Sequence, residues 1–168
     1  MRKFFLFFIL LFCSCTSSYK KIKVGRKNPN IIIIYMDDLG YGDVSSYGKG
    51  ILKTPNIDKL ANGGLKFLNG YSSSATCTPS RYAMLTGKYP WRNPRAKIIT
   101  GGSLIIDTTE ITLPKMLKTN GYKTGIVGKW HLGLSDTIIN YNKKIKPGPN
   151  EVGFDYSYIM ADTQDRVP

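Results

Sequence analysis

A continuous run of β-branched residues most constrains the fold of this chain. Residues 31–35 read Ile-Ile-Ile-Ile-Tyr, with no charged side chain on either face. Such a run predicts a strand buried on both sides, as in parallel sheets that are covered by helices. It leads directly into Asp37 and Asp38. Two acids are therefore predicted at the carboxyl end of a buried strand, where open α/β sheets place their ligand sites.

Proline and glycine mark the helices that follow. Prolines at three positions suit a first helical turn, and glycine or asparagine can end a helix. Helices are predicted to start at 54–57 and close at Gly63-Gly64, to cover 80–85 after Pro79, and to run from 112–114 to Asn120-Gly121. Strands are predicted at 65–71 and 122–127. This alternation predicts an α/β fold with a predominantly parallel or mixed sheet flanked by helices.

The opening segment has the composition of an export signal. Arg2 and Lys3 precede the apolar run 4–12, which is shorter than the roughly 20 residues that span a bilayer. The run ends at Cys13-Ser14-Cys15, which resembles a bacterial lipoprotein leader. We expect residues 1–15 to be a signal peptide, Cys15 to carry a lipid anchor, and the protein to be periplasmic or on the cell surface. Cleavage of an ordinary signal peptide, and processing at Cys13, are the alternatives.

The charge balance is strongly basic. The chain has 24 Lys and Arg against 11 Asp and Glu, a formal charge of +13, which favours anionic partners such as nucleic acid, lipid headgroups or a sulfated or phosphorylated substrate. Many of the cations lie in the leader, in the polar stretch 16–29 and in the stretch 143–146. No basic stripe alternates with aromatic residues, so we expect a tether at 16–29, a solvated basic surface and no nucleic-acid partner.

Four polar features fall at the ends of the predicted elements. They are Asp37-Asp38, Cys77, Arg81, and Lys129 with His131. Each has a structural explanation when taken alone: an acidic pair can cap a turn, a lone cysteine can be a small buried hydrophobe, and an arginine can be a surface charge. Outside the leader Cys77 is the only cysteine, so no intrachain disulfide explains it.

The sequence around these features resembles the formylglycine-dependent sulfatases of the alkaline-phosphatase-like superfamily. Residues 77–81, Cys-Thr-Pro-Ser-Arg, and then Leu-Thr-Gly at 85–87 match the first signature of that family. Residues 121–133, with Gly-Lys-Trp-His-Leu-Gly at 128–133, match the second. The acidic pair and the segments 54–60 and 153–156 also match in the family's order.

The resemblance implies a role for each site residue. A maturation enzyme would oxidise Cys77 to formylglycine. One hydroxyl of its hydrate would attack sulfur and expel the alcohol, and the second would then release sulfate and restore the aldehyde. Asp37, Asp38 and the modified Cys77 would bind one Ca²⁺, because carboxylates supply hard oxygen ligands. Arg81 would hold the diol oxygens, Lys129 would face the anionic group, and His131 would assist deprotonation. The substrate would be a sulfated small molecule or glycan, with sulfated carbohydrates favoured.

The same resemblance predicts an amino-terminal piece. Relatives are typically longer and carry a later Asp-Asn pair, a second His and a further Lys, whereas this chain has one His and no Asp-Asn. Residues 30–168 are therefore interpreted as the first part of a catalytic domain that would be inactive alone. A phosphate or phosphonate ester hydrolase and a non-catalytic lipid-anchored module remain alternatives. Trp91, Arg92 and Arg95 could contact substrate or serve only loop packing.

Overall fold

The computed structural model describes residues 28–48, 51–97 and 101–162. The predicted leader, Cys13, Cys15 and most of the tether lie outside these ranges. The chain divides into two compact units, residues 1–35 and 36–168. Within the described ranges, no helix has the length and apolar character needed to cross a bilayer.

The predicted strand at 31–35 is wrong. The structure assigns no regular secondary structure there, and the side chain of Ile32 is 84% exposed. A strand forms only where a second backbone supplies its ladder of hydrogen bonds. Among the described residues the sheet contains two strands, which pair with each other. The apolar composition of this segment suits a strand, but among the described residues no other strand pairs with it.

The described residues of the second unit form four helices, two strands and two short 3₁₀ turns. The helices are α1 (Pro55–Gly63), α2 (Cys77–Thr86), α3 (Leu113–Thr119) and α4 (Pro149–Val152). The strands are β1 (Gly125–Lys129) and β2 (Tyr156–Met160), and the turns are Tyr41–Asp43 and Pro90–Arg92. The three helix predictions are confirmed at α1, α2 and α3. The strand predicted at 122–127 is found as β1, which begins three residues later and ends two residues later.

Two further differences concern the strand predicted at 65–71 and the elements β2 and α4. The strand predicted at 65–71 is wrong, since this segment is an irregular stretch in which Leu65 and Phe67 are exposed. Conversely, β2 and α4 lie in segments for which no element was predicted. Strand formation depends on distant partners, so local composition is a weaker guide to strands than to helices.

The sheet is a parallel pair. Gly125 lies opposite Tyr156 and Lys129 opposite Met160, and the ladder continues as the amide of His131 donates to the Ala161 carbonyl at 3.0 Å. Parallel neighbours need a crossover connection, which residues 130–155 supply, with α4 inside it. Consequently the residues after β1 and those after β2 meet at one edge of the sheet.

An apolar core of the described residues holds this arrangement together. It combines residues of α2, the segment 104–106, the residues after β1 and α4, and it is formed by Tyr82, Leu85, Ala96, Leu104, Ile105, Ile106, Trp130, Leu132, Leu134 and Val152. The segment 102–105 runs beside 132–135, where the amide of Ile105 donates to the Leu132 carbonyl at 3.0 Å. The core therefore packs the residues that follow β1 against α2.

Candidate active site

The leading end of α2 presents Cys77 to the end of β1. Cys77 is the first residue of the helix, which Pro79 in the first turn helps to start. Two side chains of this helix bond to the backbone that follows the strand. Thr78, fully buried, donates through Oγ1 to the His131 carbonyl at 2.9 Å, and Arg81 donates through Nη1 to the Lys129 carbonyl at 2.6 Å. These two bonds fix the position of Cys77 relative to β1.

Four of the predicted site residues lie within hydrogen-bonding reach of one another. The ammonium group of Lys129 donates to the carboxylate of Asp37 and, at 3.3 Å, to the sulfur of Cys77. Arg81 Nη2 lies 3.4 Å from Asp37 Oδ1. The nucleophile candidate, one carboxylate and two cations therefore form a compact cluster, although they come from three separate parts of the chain: Asp37, α2 and the end of β1.

The two cations hold Asp37 as an anion. Partial burial acts to raise the pKa of Asp37, but the hydrogen bonds and charges of Lys129 and Arg81 outweigh it and leave that pKa below its ordinary value. Burial likewise acts to lower the pKa of Lys129, and the Asp37 carboxylate and Cys77 sulfur outweigh it and raise that pKa. Both groups are thus charged at neutral pH.

The side chain of His131 contacts Asp162 rather than a residue of the four-residue cluster. Its side chain is 1% exposed, and its Nε2 lies 3.3 Å from Asp162 Oδ1. Its backbone has a φ of 52°, an uncommon value for a residue with a side chain. Asp162 was not predicted as a site residue. The available signal was an acid two residues beyond a β-rich stretch at Tyr156–Met160.

The predicted metal ligands are partly arranged for a cation. Asp37 and Asp38 are adjacent and solvent-accessible, and Asp38 has a φ of 56°. No cluster of three or more His, Cys, Asp and Glu side chains suited to a metal occurs among the described residues. The carboxylate donors have the right chemistry for Ca²⁺, which takes 6–8 oxygens. Together they can supply at most four of these oxygens.

A cavity of about 410 Å³ lies near the other end of α2. It is lined by residues that include Tyr82, Arg92 and Arg95 and by none of the predicted catalytic residues. Arg95 donates to the Leu104 carbonyl at 2.5 Å, and the ring of Trp91 stacks on Tyr89 with centroids 4.0 Å apart. These contacts serve local packing and leave the predicted substrate contact of Trp91, Arg92 and Arg95 untested.

The fold and this site together define an α/β protein in which a helix-end cysteine is held against paired cationic and anionic side chains. The family model for sulfatases matches residues 29–167, and the chain belongs to the sulfatase family. Its homologues are sulfuric ester hydrolases. The family and the α/β fold class predicted from sequence are thereby confirmed.

Two curated relatives show the extent of the match. An N-acetylgalactosamine-6-O-sulfatase of Bacteroides thetaiotaomicron is 48% identical over 163 residues, which cover 95% of this chain and 32% of the relative. Human steryl-sulfatase is 39% identical over 173 residues, which cover 99% of this chain and 28% of the relative. The chain therefore spans about a third of the length of these relatives.

Two solved structures also resemble this chain over part of their length. One, from work on the metabolism of glycosaminoglycans by Bacteroides thetaiotaomicron, superposes with a TM-score of 0.81 at 51% identity, covering 85% of this chain and 30% of that one. The crystal structure of Ps i-CgsB in complex with k-i-k-neocarrahexaose superposes with a TM-score of 0.61 at 36% identity, covering 74% and 27%.

Proposed function

We propose that the protein takes part in the hydrolysis of sulfate esters, with Cys77 as the precursor of the nucleophile. One observation carries this proposal: Lys129 donates to both the Cys77 sulfur and the Asp37 carboxylate in a chain of the sulfatase family. A cation beside a nucleophile can stabilise the negative charge that develops on an anionic ester during attack. The contact therefore matches the needs of sulfate transfer.

Cys77 is proposed to be converted to formylglycine. Once formed, the hydrated aldehyde would supply the hydroxyl that attacks sulfur. The chain's own residues support this position: Thr78 and Arg81 fix the start of α2 through their bonds to the backbone after β1, and Lys129 faces the side chain of residue 77. Arg81 also contributes a guanidinium, nearly buried, whose planar donors suit oxyanions.

Asp37 and Asp38 are proposed to hold one Ca²⁺. Bound there, the cation would polarise the sulfate oxygens. Oδ1 of Asp37 faces Arg81 and Oδ2 faces Lys129, so a bound cation would share these oxygens with two positive side chains. Each carboxylate oxygen has two acceptor sites, which permits such sharing. Cys77 would join this ligand set only in its modified form.

Sulfated carbohydrates are the proposed substrates. One relative is an N-acetylgalactosamine-6-O-sulfatase, and one structural neighbour holds a neocarrahexaose. The formal charge of +13 adds a long-range attraction for polyanionic glycans. His131 is proposed to act as the proton acceptor near residue 77.

The test combines mass spectrometry with product release. This chain would be co-expressed with a formylglycine-generating enzyme. The mass of the tryptic peptide 67–81, which contains Cys77, would then show whether the thiol has been replaced by an aldehyde. The protein encoded by the complete gene would be assayed with Ca²⁺ and a glycan carrying 6-sulfated N-acetylgalactosamine. Conversion at residue 77 and sulfate release that disappears in Cys77→Ala are expected.

Two results would redirect the interpretation. Release of phosphate from a matched phosphate ester, without sulfate release, would favour a phosphate or phosphonate ester hydrolase. An intact thiol together with no release of either product would favour a non-catalytic module. The Cys77→Ala variant serves as the matched control in both assays, because it removes the modifiable sulfur and leaves Pro79 and the rest of α2 unchanged.

Localisation is proposed separately from catalysis. The leader-like sequence 1–15 and its Cys15 support export and a lipid anchor at the periplasmic face or cell surface. Metabolic labelling with a palmitate analogue in a bacterial host should mark the wild-type protein and spare Cys15→Ser. Equal labelling of Cys15→Ser and loss in Cys13→Ser would instead assign processing to Cys13.

A further inference from the structure

His131 lies just beyond the carboxyl end of β1, beside the residues that follow β2. The amide of His131 donates to the Ala161 carbonyl at 3.0 Å, which extends the parallel ladder by two residues beyond β1. This pairing brings Asp162 next to the histidine, with Oδ1 3.3 Å from Nε2. The histidine side chain is 1% exposed, so little water competes for this contact.

The carboxylate of Asp162 is itself oriented. The amide of Gly101 donates to its second oxygen, Oδ2, at 2.8 Å. One oxygen is thus engaged by backbone and the other faces the imidazole. Thr78 donates through Oγ1 to the backbone carbonyl of His131 at 2.9 Å, which ties the histidine backbone to the residue next to Cys77. Asp162 therefore contacts the imidazole of His131, and Thr78 fixes its backbone.

We propose that Asp162 is a positioning residue that sets the tautomer of His131. A carboxylate acceptor at Nε2 favours the neutral imidazole with its proton on Nε2, because only that tautomer can donate to the carboxylate. Nδ1 is then the acceptor nitrogen. The catalytic meaning of this assignment rests on the sulfatase function proposed above, since proton removal near residue 77 requires an acceptor nitrogen. The tautomer itself does not depend on that function.

The chain offers a direct measurement because it contains one histidine. Uniform ¹⁵N labelling of protein made without a histidine tag gives one pair of imidazole nitrogen signals in a long-range ¹H–¹⁵N spectrum. At about pH 8, where an ordinary imidazole is neutral, the wild type should show a protonated Nε2 and an unprotonated Nδ1. The preference should be about tenfold or more, the ratio expected of one hydrogen bond to a charged acceptor.

Three variants make the measurement decisive. Asp162→Asn should reduce the tautomer ratio several-fold, because an amide can both accept and donate at Nε2. Asp162→Glu keeps the carboxylate and should restore much of the preference. Asp155→Asn makes the same chemical change at the start of β2, where the carboxylate contacts Lys118 and Thr124, and should leave the histidine signals unchanged.

The outcomes separate this proposal from the proposed function. A protonated Nδ1 in the wild type, or a ratio that Asp162→Asn leaves unchanged, would overturn the role of Asp162 whatever the enzyme does to sulfate esters. If Asp162→Asn, Asp162→Glu and Asp155→Asn all reduced the tautomer ratio equally, the effect would be a general structural one, and the role of Asp162 would also be overturned. The expected tautomer in this chain, together with no sulfate release by the protein encoded by the complete gene, would support the positioning of His131 and count against the proposed hydrolysis of sulfate esters.

Discussion

Replacing Gly133 by alanine should strongly destabilise the second unit. Gly133 has a φ of 77°, and a Cβ there would lie 2.7 Å from the Gly102 carbonyl oxygen, 2.5 Å from the Ser103 carbonyl carbon, and closer still to the Ser103 oxygen. The left-handed conformation costs a residue with a side chain about 1–2 kcal/mol. Relief of the clash would separate 102–105 from 132–135, which are joined by three backbone hydrogen bonds of 2.8–3.1 Å.

Weakening those three bonds adds about 1 kcal/mol each, so the total loss is about 4–5 kcal/mol, a large part of the ~5–15 kcal/mol that stabilises a typical domain. At about 2–4 °C per kcal/mol for a chain of this size, the midpoint of thermal unfolding should fall by about 10 °C. Urea and thermal unfolding followed by tryptophan fluorescence would measure the loss, because Trp130 is 1% exposed and lies next to the affected segment.

Gly87→Ala is the matched control. Gly87 has a φ of 67°, and a Cβ there would meet nothing within 4 Å. It therefore isolates the backbone strain, about 1–2 kcal/mol, from the clash. The difference between the two variants measures the close approach of the two segments. If Gly133→Ala is no less stable than Gly87→Ala, the two backbones are not packed as closely as described.

Two further changes test the ion pairs. Hydrogen bonds from Lys118 and from the Thr124 amide lower the pKa of Asp155 from 3.8 to about 2; since the folded-state pKa is the lower one, the stabilisation is present above about pH 4 and is lost as the pH falls toward 2. The urea midpoint of wild type should therefore exceed that of Asp155→Asn at neutral pH and converge with it near pH 2, and a constant gap would contradict the assignment. A lysine at position 81 cannot reach both the Lys129 carbonyl and Asp37. The free energy of unfolding of Arg81→Lys, measured in urea, should therefore fall by about 1–3 kcal/mol. An unchanged midpoint would show that stability does not need both contacts of the guanidinium.

Local signals predicted the helices well. Proline in the first turn and a closing glycine or asparagine located α1, α2 and α3 to within a few residues, because these residues act on the backbone where they stand. Strand signals were less reliable. The Ile-rich run at 31–35 has an apolar composition without an assigned strand, whereas β2, which reads Tyr-Ser-Tyr-Ile-Met, was missed although it pairs with β1.

The sequence singled out the residues of the cluster but not all of their contacts. The family resemblance singled out Asp37, Cys77, Arg81 and Lys129, and the structure brings them together. The resemblance did not indicate Asp162, because its position beside His131 follows from the pairing of β1 with β2. Without β2, no argument from sequence could place residue 162 near residue 131.

The backbone contacts explain why the two signature segments must act together. Arg81 donates through Nη1 to the carbonyl of Lys129, while the side chain of that lysine turns to Asp37 and Cys77. Arg81 therefore has two effects: it contributes charge near Asp37, and it fixes the backbone that presents the ammonium group. Loss of the guanidinium would weaken the contact between Lys129 and Cys77 even where a lysine at 81 restored the charge. Position of the backbone, rather than net charge, is what the arginine of the first signature supplies to the lysine of the second.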